Sequence, residues 1–379
     1  MAGLYVHIPF CESKCGYCDF HSVVAEDDVV DAYVEALTAE AEYSATVLGP
    51  HQVFSSLYVG GGTPSRLSEL QLERLFEVLS QRFDLAEHAE ITVEMNPKSI
   101  TLSKAMLLAN LGVNRASLGV QAFQDWLLSR LERKHSVRDA WDALAVVREA
   151  GIAHCSLDLM FGLPNQTTAD WRQTLAMAEA SGATHISCYS LVLEEGTPFW
   201  QAAEAGHLQL PDSDLEADMF ERARSVLVSV GFDHYEISNF AKPGHRSLHN
   251  ENYWRRVPYL GLGSGAHSFW HNRRWSTTND LSHYISSTTR DGGSVRDWEH
   301  VVSEQEAADE TMWLGLRLLD GVSDGLFRQR FGVSLHSVYA REVDELLSRG
   351  LVEWRGDRLR LTEIGVSLGN QVFAAFIRT

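Results

Sequence analysis

Three thiols, Cys11, Cys15 and Cys18, stand in C-x3-C-x2-C spacing just after Leu4–Ile8, a short apolar stretch that reads as a strand ended by Pro9. Thiolates this close in the chain can converge on one soft metal centre. A four-iron cluster held by three cysteines leaves one iron without a protein ligand, and something other than protein can bind there. Two plainer readings fit the same triplet. His21 could complete a closed Cys3His zinc site, or the thiols could simply be small, reduced, packed residues.

Other residues with chemical capacity recur at one kind of place. Gly60-Gly61-Gly62 follows an apolar strand and offers backbone that a ligand could approach without meeting a Cβ. Glu94, Gln121 and Asp158 each close an apolar strand, and a carboxylate pair there could hold a ribose or an ammonium group, or could cap the next turn. Arg133, within Glu132-Arg133-Lys134-His135, reads by itself as a solvated helix end, and Cys155 and Cys188 as small residues buried in strands. Further on, His249 with Tyr253 and Trp254 could set an imidazole beside flat apolar walls, as a porphyrin needs. Arg255 and Arg256 could then meet propionates; the other reading has these aromatics packing the barrel mouth and His249 satisfying a backbone carbonyl.

Apolar strands alternate with amphipathic helices through the first 200 residues, and such alternation predicts a parallel sheet. The strands are 55–59, 90–95, 115–120, 152–161 and 185–193 after the first; the helices include 28–48, closed by Gly49-Pro50, with 67–83, 103–111, 125–131, 137–150 and 169–181. About six strand–helix units fit, fewer than a closed eightfold barrel, so the fold class is α/β with a partial (β/α)6 barrel. The cysteines, glycines, Glu94, Gln121 and Asp158 fall at the carboxyl ends of strands, the rim that carries active sites in barrels. The expected division is a barrel over 1–240, with a long helix near 214–230 and a strand over 234–240. A segment over 241–302 follows, its polar part from Ser276 to Val302 read as a linker. A mainly helical winged-helix-like unit then spans 303–379, ending in a hairpin about Arg355-Gly356-Asp357.

Composition narrows the class. The chain has 379 residues, 45% hydrophobic and 22% charged, as an ordinary globular protein does. An odd count of 5 cysteines, three of them clustered, argues against a disulfide framework and for a reducing cytoplasm. Ten residues before Cys11 leave no room for a targeting segment, and no run is long enough to span a membrane. A formal net charge of -19 opposes binding to a phosphate backbone, so nucleic acid is not an expected partner, and the terminal unit reads as a lid or protein-contact surface.

Taken together, the cysteine triplet, Gly60-Gly61-Gly62-Thr63-Pro64-Ser65, Gly119-Val120-Gln121, Phe161-Gly162-Leu163-Pro164 and His249-Asn250-Glu251-Asn252-Tyr253-Trp254 resemble the radical S-adenosylmethionine (SAM) superfamily. Within it, the chain is similar to the branch of oxygen-independent coproporphyrinogen III oxidase and the heme chaperone HemW, from Tyr5 to the C-terminus. The resemblance implies a [4Fe–4S] cluster on Cys11, Cys15 and Cys18 whose open iron is chelated by SAM. It implies Tyr5 and Tyr17 beside the cluster and Gly61, Gly62 and Thr63 along the methionine part. Glu94, Gln121, Arg133 and Asp158 would contact the amino, carboxylate and ribose groups, and arginine matches a carboxylate. It offers His249 as the heme ligand. The oxidase has a further cysteine two positions after the third, where this chain has Phe20, and a longer N-terminal segment. The resemblance therefore implies heme binding and delivery to a membrane or respiratory acceptor, by a monomer or homodimer; the alternative is oxidative decarboxylation of coproporphyrinogen III.

Overall fold

The computed structural model describes residues 1–49, 51–291, 293 and 295–378, so Pro50, expected to close the first helix with Gly49, lies outside the described residues. Six parallel strands are laid side by side in chain order: β1 (Ala2–Ile8), β2 (Val53–Gly61), β3 (Asp84–Met95), β4 (Arg115–Gln121), β5 (His154–Phe161) and β6 (His185–Ser190). Between them run α1 (Asp27–Leu48), α2 (Glu69–Arg82), α3 (Leu102–Asn110), α4 (Asp125–Arg130), α5 (Val137–Glu149) and α6 (Thr168–Ala180). This is the expected partial (β/α)6 barrel. Helix starts are set locally: Ser68 with Gln71, Ser136 with Asp139 and Thr167 with Asp170 form reciprocal capping pairs that satisfy otherwise orphaned backbone N–H groups.

Each strand divides by parity. Leu57, Val59, Val93, Ala116, Leu118, Leu157, Leu159 and Ile186 pack outward into the main hydrophobic core beneath the helices. The alternate positions face the barrel interior and are polar or small: Tyr58 on β2, Thr92 and Glu94 on β3, Ser117, Gly119 and Gln121 on β4, Ser156 and Asp158 on β5, Ser187 and Tyr189 on β6. A barrel interior is ordinarily filled by layers of branched apolar side chains. Here serines and a glycine leave it open.

Beyond β6 the structure departs from the sequence reading in two places. The strand expected over His234–Phe240 is a hairpin of β7 (Asp233–His234) and β8 (Asn239–Ala241), in which β8 pairs antiparallel with both β6 and β7. Glu236 makes the turn, its Oε1 accepting the Ser238 N–H at 3.1 Å. The segment Ser276–Val302, expected as a linker, is built into the sheet. β9 (Tyr259–Leu262) pairs parallel to β1, and β10 (His267–Trp270), β11 (Arg273–Thr277) and β12 (Arg296–Val301) extend it antiparallel. The helix Leu281–Asp291 packs on α1 through Tyr284, whose hydroxyl donates to the buried Glu40 at 2.7 Å. Its polarity misled because only one face of the helix and of the edge strands is covered.

Residues 304–374 carry six helices around a three-stranded sheet in the order β13 (Val322–Ser323), β15 (Arg358–Leu361), β14 (Val352–Arg355). They enclose a separate apolar cluster that includes Met312, Phe327, Tyr339 and Phe376, consistent with the expected helical unit and hairpin. Among the described residues, no helix is long and apolar enough to cross a membrane.

Candidate cofactor site

The cysteine loop leaves β1 at Ile8 and is closed at its base by two backbone bonds, Cys11 N–H to Val23 O at 3.0 Å and Val23 N–H to Pro9 O at 2.7 Å. Within it the Cys18 N–H reaches Cys15 O at 3.1 Å, and the tight path at Gly16 is forced because a Cβ there would meet the Phe199 ring at 2.8 Å. Cys11, Cys15 and Cys18 line the mouth of one cavity of about 470 Å³ that runs down the barrel. Thr63 donates its hydroxyl toward Cys11 Sγ at 3.5 Å, and Arg133 Nη1 lies 3.7 Å from Cys15 Sγ. A hydroxyl donor and a cation beside these sulfurs would suit the negative charge of iron-bound thiolates, whereas burial raises the Cys18 thiol above its ordinary value.

The alternatives to a cluster fit less well. His21 points its Nε2 at Ser264 Oγ, 3.1 Å away, and stacks on His7, so it does not join the thiols as a zinc ligand. Cys155 and Cys188 lie within β5 and β6, apart from the loop. Among the described residues, no three His, Cys, Asp or Glu side chains already form a closed ligand set, so the sulfurs share a wall without being drawn together.

Deeper in the cavity stand Gly61, Gly62, Glu94, Gln121 and Asp158. The glycines are required by the chain's own packing: a Cβ on Gly61, at φ 112°, would fall 2.5 Å from the His7 ring, and one on Gly62 would fall 2.8 Å from Phe10 O. Both Glu94 oxygens are engaged, Oε1 by the Tyr58 hydroxyl at 2.7 Å and Oε2 by the Gly61 N–H at 2.9 Å. Burial, reinforced by the charge of Asp158, lifts the Glu94 carboxyl to about 7. Burial likewise lifts Asp158 to about 6, although Ser187 and Ser117 hold it by hydrogen bonds, the latter at 3.1 and 3.2 Å. Gln121 sits at φ 67° on a register shift in β4, a left-handed conformation unusual outside glycine and concentrated at functional sites. Arg133 donates Nη2 to Gly119 O at 2.9 Å, while its buried Nε has no hydrogen-bond partner among the described residues. That guanidinium keeps donor capacity for a carboxylate.

The residues present thus suit an amino-acid cofactor beside an iron cluster: thiolates at the mouth, carboxyls for an ammonium or ribose, and arginine for a carboxylate. The structure gathers Cys11, Cys15, Cys18, Tyr17, Gly61, Gly62, Thr63, Glu94, Gln121, Arg133 and Asp158 on one cavity. It leaves out two expected residues. Tyr5 lies behind Tyr58, its ring 6.2 Å away and its hydroxyl 2.9 Å from His7 Nδ1. His249, offered as a heme ligand, is buried with both ring nitrogens engaged, Nδ1 at 2.9 Å from Ser56 Oγ and Nε2 at 2.9 Å from the Tyr253 hydroxyl. Both nitrogens are committed in this arrangement, so the expected ligation of heme by His249 would require one of these bonds to break. Arg256, expected at a propionate, is instead buried and paired with Glu310, and Arg255 lies 3.6 Å from Glu251.

Tyr58, Ser117 and Ser187 were absent from the sequence expectation. For the serines a partial signal was available: Ser117 shares its parity with Gln121, as Ser156 does with Asp158.

This barrel and rim define a radical SAM protein. Residues 5–178 match the Radical SAM superfamily and residues 302–368 the HemN C-terminal domain. The fold superposes on coproporphyrinogen III oxidase (HemN) from Escherichia coli with a TM-score of 0.86 over 99% of this chain and 89% of that one, at 23% identity, a likeness of fold. The heme chaperone HemW of Bacillus subtilis (strain 168) is 39% identical across 100% of this chain and 99% of its own length. HemW of Escherichia coli (strain K12) is 33% identical over 99% and 97%. A mouse protein, radical S-adenosyl methionine domain-containing protein 1, mitochondrial, is 35% identical over 94% of this chain and 83% of its own. The chain belongs to the HemW heme-chaperone family.

Proposed function

We propose that this protein is a heme chaperone: it binds heme, carries a [4Fe–4S] cluster and SAM in its barrel, and passes heme to a respiratory acceptor, at the membrane surface where the acceptor is membrane-bound, working from the cytoplasm. What carries the reading is that the likeness to HemW extends over the barrel and the C-terminal unit together. Phe20 supports it: it is 64% exposed at the cavity mouth, two positions after Cys18, where the oxidase resemblance calls for a further cysteine.

In this reading Cys11, Cys15 and Cys18 hold the cluster, which when bound supplies a one-electron centre with an open iron. The chain's own residues do the rest. Thr63 and Arg133 stabilise thiolates; Glu94 and Asp158 accept from the ammonium and ribose; Arg133 and Gln121 meet the carboxylate; Tyr17 shields the loop. Burial in the barrel strengthens each of these contacts by excluding water.

Delivery is the property to test. Heme-loaded protein is mixed with a heme-free haemoprotein as trap, and the trap's absorbance is followed. Transfer faster than the release of heme to buffer is expected. Retention of heme under all conditions would make the protein a heme-binding enzyme or a store.

A further inference from the structure

We propose that His249 is a positioning residue for the SAM site: it fixes the Tyr58 ring, and through Tyr58 it fixes the Glu94 carboxyl. The inference rests on the reading of Glu94 as a SAM contact.

The path is continuous. The His249 imidazole lies against Tyr58 with ring centroids 4.9 Å apart and planes inclined 28°. Tyr5 lies 6.2 Å from Tyr58 and 6.4 Å from His249, so the three rings form one cluster. The Tyr58 ring and the Glu94 carboxyl sit together over Gly60, where a Cβ would fall 2.7 Å from Tyr58 Cε1 and 2.9 Å from Glu94 Cδ, so the pair uses the room that glycine leaves. From its place against His249, the Tyr58 hydroxyl donates to Glu94 Oε1 at 2.7 Å.

His249 is itself fixed. Ser56 and Tyr253 hold its two nitrogens, so the ring cannot turn about its own axis without losing a buried hydrogen bond. Its helix, Leu248–Trp254, is bound at its N-terminus by Glu90, which accepts the His249 N–H at 2.9 Å and the Leu248 N–H at 3.0 Å. Glu90 and Glu94 are on the same strand and face the same side. One strand therefore carries both the carboxylate that anchors the helix and the carboxylate that the helix, through His249 and Tyr58, orients.

This gives the His249–Trp254 motif a role that an axial ligand does not. A heme ligand needs a free ring nitrogen, whereas a strut needs both nitrogens engaged, as found. Burial also pushes the imidazole pKa down to about 3, so the ring stays neutral and does not compete with a cationic ligand for Glu94.

A double-mutant cycle tests the inference on cluster-reconstituted protein, reading the SAM dissociation constant by equilibrium dialysis. His249→Ala and Tyr58→Phe should each weaken SAM about tenfold, and the double variant no more than either alone, because both act on one carboxyl. The heme absorbance spectrum of His249→Ala should be unchanged. If Glu94→Gln leaves SAM binding intact, the Glu94 assignment itself falls. If Glu94→Gln weakens SAM but His249→Ala does not, or if the two single losses add, the positioning role is wrong. Should His249→Ala not fold, Tyr253→Phe removes only the hydroxyl from His249 Nε2 and must still weaken SAM; an unchanged constant overturns the inference.

Discussion

The Tyr58 hydroxyl donates to Glu94 Oε1 at 2.7 Å while the Gly61 N–H holds Oε2 at 2.9 Å, so this carboxyl is oriented before any ligand arrives. Preorganised groups bind without the cost of ordering them. Asp158 is held in the same way by serines, and both carboxyls face one cavity.

Asp158→Ala should keep its iron and weaken SAM by the worth of a hydrogen bond to a charged group, ~1.5–3 kcal/mol. Iron content and the SAM dissociation constant, measured on the same preparation, check this. Iron lost along with SAM would make Asp158 a structural residue.

The carboxyls also set a pH dependence. Burial, the largest cause for each, raises Glu94 from 4.5 to about 7 and Asp158 from 3.8 to about 6. The folded apoprotein therefore holds these protons more tightly than the unfolded chain. Their contribution to stability is present in full below about pH 4 and is lost as pH rises through 6 and 7. Glu94→Gln, which cannot ionise, should gain on the wild type by up to ~3 kcal/mol between pH 4 and pH 8. Urea unfolding of the apoprotein at the two values measures it, and a constant difference between the proteins would refute it.

Replacing Cys11, Cys15 and Cys18 by serine should abolish the visible absorbance of anaerobically reconstituted protein, which should otherwise hold about four irons. Metal analysis that found one zinc and no iron in the wild type would restore the zinc reading.

Arg256 and Arg274 share Glu310, joining the segment after the His249 helix and β11 to the C-terminal unit; the Arg256 side chain is 1% exposed. Glu310→Ala leaves a buried cation uncompensated and should cost about 3–5 kcal/mol in denaturant unfolding. A loss under about 1 kcal/mol would show that solvent reaches Arg256 easily.

The sequence made the barrel legible because each strand and helix declares itself locally: apolar runs for β1 to β6, serine and threonine caps for the helices. The cysteines, glycines, Glu94, Gln121 and Asp158 were legible from position, since strand ends in a parallel sheet share a rim. Tyr58 and Ser187 were missed because a hydroxyl inside an apolar strand fits either face when no carboxylate or glutamine shares its strand, whereas Ser117 could have been placed by its parity with Gln121. The hydrogen bonding of His249 was illegible for a related reason. Its type and aromatic neighbours suit a heme ligand, but its partners, Ser56 and Tyr253, are supplied partly from a strand almost 200 residues earlier, and no local pattern carries that. The segment 276–302 failed as a linker because edge strands and a half-covered helix have the composition of loops.

The most direct test adds heme stepwise to anaerobically reconstituted protein, then supplies the same sample with SAM, reductant and coproporphyrinogen III and analyses the porphyrins. The account predicts a saturable absorbance change on adding heme and unconsumed coproporphyrinogen III. Conversion to protoporphyrinogen IX with no saturable heme binding would contradict it.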